Sequence, residues 1–117
     1  MSRDWPNSHA HFVGIGGSGM SGIARIMIAR GAKVSGSDLN DSANLAGLRS
    51  LGITTFIGHD AKNVKGADFV VRSSAIPQSN PELKFAAAAG IPIIERAQAL
   101  SELMAGCKSV AVAGTHG

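Results

Sequence analysis

His11-Phe12-Val13-Gly14-Ile15-Gly16-Gly17-Ser18-Gly19-Met20-Ser21-Gly22 runs from β-favouring apolar residues, through a cluster of glycines, into a helix-like apolar pattern. The order reads as strand, tight turn and helix N-terminus. Glycines let the backbone turn sharply, and the amides that open a helix have no partner within it, so they and the aligned peptide dipoles attract a phosphate. Gly14, Gly16 and Gly19 satisfy the G-x-G-x-x-G spacing, and Asp38 stands near the prescribed distance downstream, where an acid accepts hydrogen bonds from ribose hydroxyls. The glycines alone are a weak signal. With a strand before them, a helix after them and the acid in place, they indicate a nucleotide-diphosphate site. The base stays open: a nicotinamide dinucleotide, unphosphorylated on its ribose because of Asp38, is one reading, and another nucleotide diphosphate is the other.

Outward from this stretch, strand and helix alternate. The first strand is expected over Ala10–Ile15, after a polar, proline-interrupted leader at residues 1–9. Met20, Ile23, Ala24, Met27 and Ile28 recur at helical spacing and form one apolar face, which Gly31 ends. Lys33–Gly36 reads as a second strand with Ser37 and Asp38 at its carboxyl end. Ser42 offers a cap for a helix carrying Leu45, Leu48 and Leu51, and Ile53–Ile57 reads as a third strand. The segment from Gly58 to Val64 carries turn residues and permits a short helix. Ala67–Arg72 has the length and apolar character of a buried parallel strand.

Asn80-Pro81-Glu82 places a cap, then proline at the first helical position, then an acid in the first turn of a helix that runs to Gly90. Ile91–Ile94 reads as a fifth strand, at an edge because of Pro92. A helix from Arg96 to Ala105 is expected to be buried through Leu100, Leu103 and Met104, and a terminal strand at Ser109–Ala113 leads into Gly114-Thr115-His116-Gly117. The class is therefore α/β: a Rossmann-like, doubly wound parallel sheet of about five strands over residues 10–106, with residues 107–117 leading into a further domain. Such sheets bind ligands at the carboxyl ends of their strands. Those ends are Gly16–Met20, Gly36–Leu39, Gly58–Asp60 and Ser73–Ile76.

Composition narrows the class of function. A chain of 117 residues with 44% hydrophobic and 16% charged residues supports one ordinary core. The excess of three positive charges is spread along the chain without runs or aromatic interleaving, which argues against a nucleic-acid partner. The single cysteine, Cys107, permits no internal disulfide and reads as a small core residue. Neither a secretory signal nor a membrane-length apolar run is present, so a cytoplasmic protein without a membrane partner is expected. No metal-ligand pattern and no catalytic constellation stand out. His9 and His11 read as residues without chemistry, and His59, in a Gly-His-Asp turn, as a residue at the site's edge.

Two features sit poorly with hydride transfer. No second nucleotide-binding half follows, and Gly114–Gly117 looks like the opening of another phosphate loop. Gly14–Ala24, Gly36–Asp38, Ser73–Ile76, Asn80–Leu83, Arg96, Glu102–Met104 and Ala113–Gly117, taken jointly, resemble the Mur ligase family of peptidoglycan synthesis. In that family the first domain holds a UDP-sugar, the second ATP and the third the incoming amino acid. The resemblance implies that this chain is the first domain and that its substrate is UDP-N-acetylmuramate. L-alanine, ATP and magnesium would enter only in the full-length ligase, with no cofactor and no catalysis in this chain.

By position, the resemblance assigns Gly16, Gly17, Ser18, Gly19, Met20 and Ser21 to the UDP diphosphate. Asp38, Leu39, Ser73, Ser74, Ala75 and Ile76 fall to the uridine and sugar, with Arg96 matching a family arginine that would counter a phosphate or the lactyl carboxylate, and Gly114, Thr115, His116 and Gly117 to the opening of the ATP loop; His59 joins the uridine and sugar group by its place at a strand end alone. A related ligase of murein-peptide recycling and a free-standing nicotinamide-binding module are the alternative readings.

Overall fold

A computed structural model describes residues 8–104. Residues 1–7 of the leader, the linker at 107–117, the terminal strand and Gly114, Thr115, His116 and Gly117 lie outside the described residues. In chain order the elements are β1 (His9–Val13), α1 (Ser18–Ala29), β2 (Lys33–Asp38), α2 (Ala43–Ser50), β3 (Thr54–Ile57), a 3-10 helix (Ala61–Val64), β4 (Phe69–Arg72), α3 (Pro81–Ala89) and β5 (Ile93–Glu95). A helix over 96–104, α4, follows β5 directly.

The strands form one sheet in the order β3-β2-β1-β4-β5, and every pairing is parallel. The order reverses between β1 and β4, which makes the crevice beyond their carboxyl ends the switch point of the sheet. β5 is an edge strand, as Pro92 indicates.

Alternate residues of β1 face opposite ways. Ala10 and Phe12 enter a core with Met20, Ile23, Ala24 and Met27 of α1, Leu45 and Leu48 of α2, and Ala99 and Leu103 of α4. Val13 enters a second core with Val70, Leu83 and Ala86, beneath α3 and the 3-10 helix. Full burial of a side chain such as Phe12 contributes roughly 1.5–3 kcal/mol.

Three local expectations shift. β1 begins at His9, one residue inside the expected leader, because His9 pairs with Lys33 of β2 and its carbonyl accepts from the Asp68 amide at 2.8 Å. α4 is buried through Ala99 and Leu103, whereas Leu100 and Met104 are exposed. Ala99 and Leu103 stand four apart, so the stripe that meets the core lies one residue over from the expected one. Leu51 caps the carboxyl end of α2 and is also exposed.

Candidate functional site

The β1–α1 turn is built from close approaches. Gly14 has φ +84°, a left-handed conformation that glycine adopts without strain, and it faces Ile76 of the β4–α3 loop across the switch point. The Gly14 and Ile15 amides both donate to the Ser37 carbonyl, at 2.8 and 2.9 Å, which ties the turn to the end of β2. The Gly16 amide donates to the Asp38 carboxylate at 2.9 Å, and Asn44 donates to the Gly16 carbonyl.

α1 opens on Gly17 with no side-chain cap and no acid in its first turn. The amides there are left with the helix's positive end and no internal competitor. Met20 and Ser21 are buried, so a ligand at this end meets the backbone rather than those side chains.

Arg96 belongs to the same place. Its Nη1 and Cδ lie 3.1 Å from the position a Gly19 Cβ would take, so the guanidinium side chain rests on the first turn of α1. Arg96 is also the first residue of α4, where a cation opposes the helix dipole. Two helix N-termini and a guanidinium therefore concentrate positive potential at the switch point, which is anion-binding chemistry.

The flanking candidates divide. Leu39 is exposed at the end of β2, and Ile57 at the end of β3, offering apolar surface beside Asp38. Ser73 accepts from the Ala75 amide through its hydroxyl and from the Ile76 amide through its carbonyl, closing a turn that leaves Ser74 and Ala75 exposed. His59 is turned the other way: its Nδ1 lies 2.9 Å from the Ser37 hydroxyl and 3.6 Å from Glu82.

Beneath the sheet lies a polar cluster that sequence reading did not anticipate. Glu82 and His11 are both fully buried. The Glu82 carboxylate accepts from His11 Nε2 and the Ser37 hydroxyl, each at 2.7 Å, from Asn63 Nδ2 at 2.9 Å and from the Asp60 amide at 3.1 Å. Burial pushes the carboxyl's pKa up, but the hydrogen bonds from His11, Asn63 and Ser37 outweigh it, and the pKa falls below the usual range.

On its far side His11 bonds the Ser35 hydroxyl, which bonds His9, whose other ring nitrogen meets the Gly66 carbonyl. The available signal was the coincidence of polar residues at alternate positions of neighbouring strands, His9 and His11 beside Ser35 and Ser37.

Among the described residues no group of three or more His, Cys, Asp or Glu side chains converges as a metal site, and no helix is long and apolar enough to cross a membrane.

An uncapped glycine turn at a switch point, an acid on the neighbouring strand end and an arginine over the helix N-terminus belong to a Rossmann-like α/β domain whose binding edge suits an anion. The model of the Mur ligase family catalytic domain matches residues 9–108, and the chain belongs to that family. It is 52% identical over 109 residues to the UDP-N-acetylmuramate–L-alanine ligase of Persephonella marina, spanning 93% of this chain and 24% of that one.

The crystal structure of the UDP-N-acetylmuramate–alanine ligase of Thermotoga maritima superposes with TM-score 0.84 at 35% identity, over 87% of this chain and 24% of that one. A murein peptide ligase from Psychrobacter arcticus gives TM-score 0.78 at 28% identity, over 82% of this chain and 20% of that one. The chain thus spans about a quarter of the relatives it matches.

Proposed function

We propose that this chain binds UDP-N-acetylmuramate through its nucleotide, as the UDP-sugar domain of an ATP-dependent ligase that adds L-alanine to the muramyl carboxylate. The observation that carries the reading is the uncapped N-terminus of α1, with the Arg96 side chain resting on Gly19. The diphosphate would lie along the turn of Gly16, Gly17, Ser18, Gly19, Met20 and Ser21, on the amides that open α1 after Gly17, with Arg96 as counter-charge; the Gly16, Gly17 and Ser21 amides donate to Asp38, Gly14 and Gly17 and shape the turn. Asp38 would accept from the ribose hydroxyls. Leu39 and Ser73, Ser74, Ala75 and Ile76 would flank the uridine and sugar, while His59, turned toward Ser37 and Glu82, would support the site from behind.

In the whole enzyme ATP would phosphorylate the muramyl carboxylate, the alanine amine would attack the acyl phosphate, and phosphate would leave to give the amide. Gly114–Gly117, the segment proposed to open the ATP loop, lies outside the described residues, so no step is assigned to the residues described. The chain's own part is to hold the substrate by its nucleotide end, and alone it would catalyse nothing.

Calorimetric titration of the chain with UDP-N-acetylmuramate, UDP and NAD tests the reading. Binding of the two uridine nucleotides with little response to NAD is expected, whereas selective binding of NAD overturns it. Phosphate release by the chain given ATP, L-alanine and UDP-N-acetylmuramate would refute its predicted inactivity. Closer superposition on the alanine ligase than on the murein peptide ligase, TM-score 0.84 at 35% identity against 0.78 at 28%, favours the alanine reading over the recycling one.

A further inference from the structure

We propose that Glu82 is the positioning residue for the ribose side of this site, acting from the opposite face of the sheet. The inference rests on the nucleotide reading above. Glu82 stands in the first turn of α3, where an acid favours the helix dipole, yet its carboxylate is fully buried and bonded elsewhere.

Its donors come from separate places along the binding edge: Ser37 at the end of β2, the Asp60 amide in the turn after β3, and Asn63 in the 3-10 helix. His11 adds an anchor in β1. The neighbours of these donors are the residues assigned to the nucleotide. Ser37 precedes Asp38 and holds His59 through its hydroxyl, and the Gly58 amide donates to the Asp38 carbonyl at 2.7 Å. One carboxylate therefore fixes the end of β2 relative to the 58–60 turn.

A simple helix anchor would not need a charge here. Burying a carboxylate costs several kcal/mol before its partners repay it, and well-packed apolar side chains often hold such a place as well or better. The charge does what an apolar side chain cannot: it accepts directed bonds from several segments at once and sets their spacing. Asp38 depends on that spacing, because its carboxylate must meet both the Gly16 amide and the ribose.

The test is discrimination between UDP and 2′-deoxy-UDP by the 117-residue chain, in the wild type, Glu82→Gln and Ser37→Ala, with folding of each checked by circular dichroism. Ser37→Ala removes one bond to Glu82, together with the Ser37–His59 bond, and leaves the other partners of Glu82, so it carries the test if Glu82→Gln fails to fold. The wild type is expected to prefer UDP, and both variants to lose that preference by roughly five-fold, the effect of one poorly made hydrogen bond.

A change in folded fraction alone would weaken both nucleotides equally. An unchanged UDP to deoxy-UDP ratio in the folded variants therefore overturns the positioning role while leaving the site intact. Failure of the wild type to bind either nucleotide overturns the nucleotide reading itself, and the positioning role with it.

Discussion

The Asp38 carboxylate sits 2.9 Å from the Gly16 amide, and a Cβ on Gly16 would stand 2.7 Å from the same carboxylate oxygen. Glycine at 16 thus serves the acid as well as the ligand. Gly16→Ala forces the Asp38 side chain aside and breaks this bond, a loss of about 1 kcal/mol in stability. The displaced carboxylate also leaves the ribose. Weakening of UDP binding beyond what the change in unfolding free energy accounts for is the expected result, read by titration beside urea denaturation; equal losses in the two would argue that Asp38 does not face the nucleotide.

Two other glycines should answer in opposite senses. A Cβ on Gly36 would lie 2.6 Å from Ile15 Cβ, an atom that cannot swing away, so Gly36→Ala overpacks the contact between β2 and the β1–α1 turn and costs about 1–3 kcal/mol. Gly22 lies inside α1, is exposed, and a Cβ added there would meet nothing within 4 Å. Gly22→Ala should stabilise the chain by about 0.5–1 kcal/mol through helix propensity. Urea unfolding of both variants, with ligand absent, checks the pair.

Much of this was legible in the sequence because it is local. The glycine cluster, the apolar face of α1 and the cap at Asn80 each lie within one short window, and the structure keeps all of them. β2 extends to Asp38, beyond the expected Gly36, because Ser37 and Asp38 pair with Phe56 and Ile57 of β3. That partner is invisible in the local pattern. The burial of α4 through Ala99 rather than Leu100 likewise depends on which side of the helix meets the core that α1 shares. Glu82 was least legible. It reads as an ordinary first-turn acid, and the partners that make it a hub lie 71, 45, 22 and 19 residues away.

Arg96 separates ligand binding from fold stability. Arg96→Glu replaces a cation by an acid at the first residue of α4 and beside the first turn of α1, and both helix ends favour the acid. Without ligand the variant should therefore be more stable, by about 0.3–1 kcal/mol at low salt. Its affinity for UDP should fall by more than roughly ten-fold, with the wild type's salt sensitivity of binding reduced as well. Thermal unfolding and titration of the same sample give the two readings; a variant that loses stability and keeps its affinity would remove Arg96 from the diphosphate site.

The buried cluster sets the direction of the acid response. Glu82 has its pKa held below the unfolded value of 4.5, so its contribution is complete above that pH and is lost as the pH falls through the lowered folded pKa. His9 is lowered from 6.5, chiefly because burial penalises its cation, with Lys33 and His11 adding to the effect against the Gly66 carbonyl and Asp68. Its contribution is likewise complete above pH 6.5 and is lost as the pH falls below that value. Stability should thus decline on acidification in two stages, an upper one from His9 and a lower one from Glu82. His9→Gln should flatten the upper stage alone. Glu82→Gln should cost about 1–3 kcal/mol at neutral pH, because its amide nitrogen cannot accept the bonds that one carboxylate oxygen takes from the surrounding donors, and should flatten the lower stage. The two unfolding free-energy curves, wild type and Glu82→Gln, are therefore expected to converge below pH 4.5; curves that stay parallel down to the lowest pH would mean that Glu82 is not ionised in the folded chain.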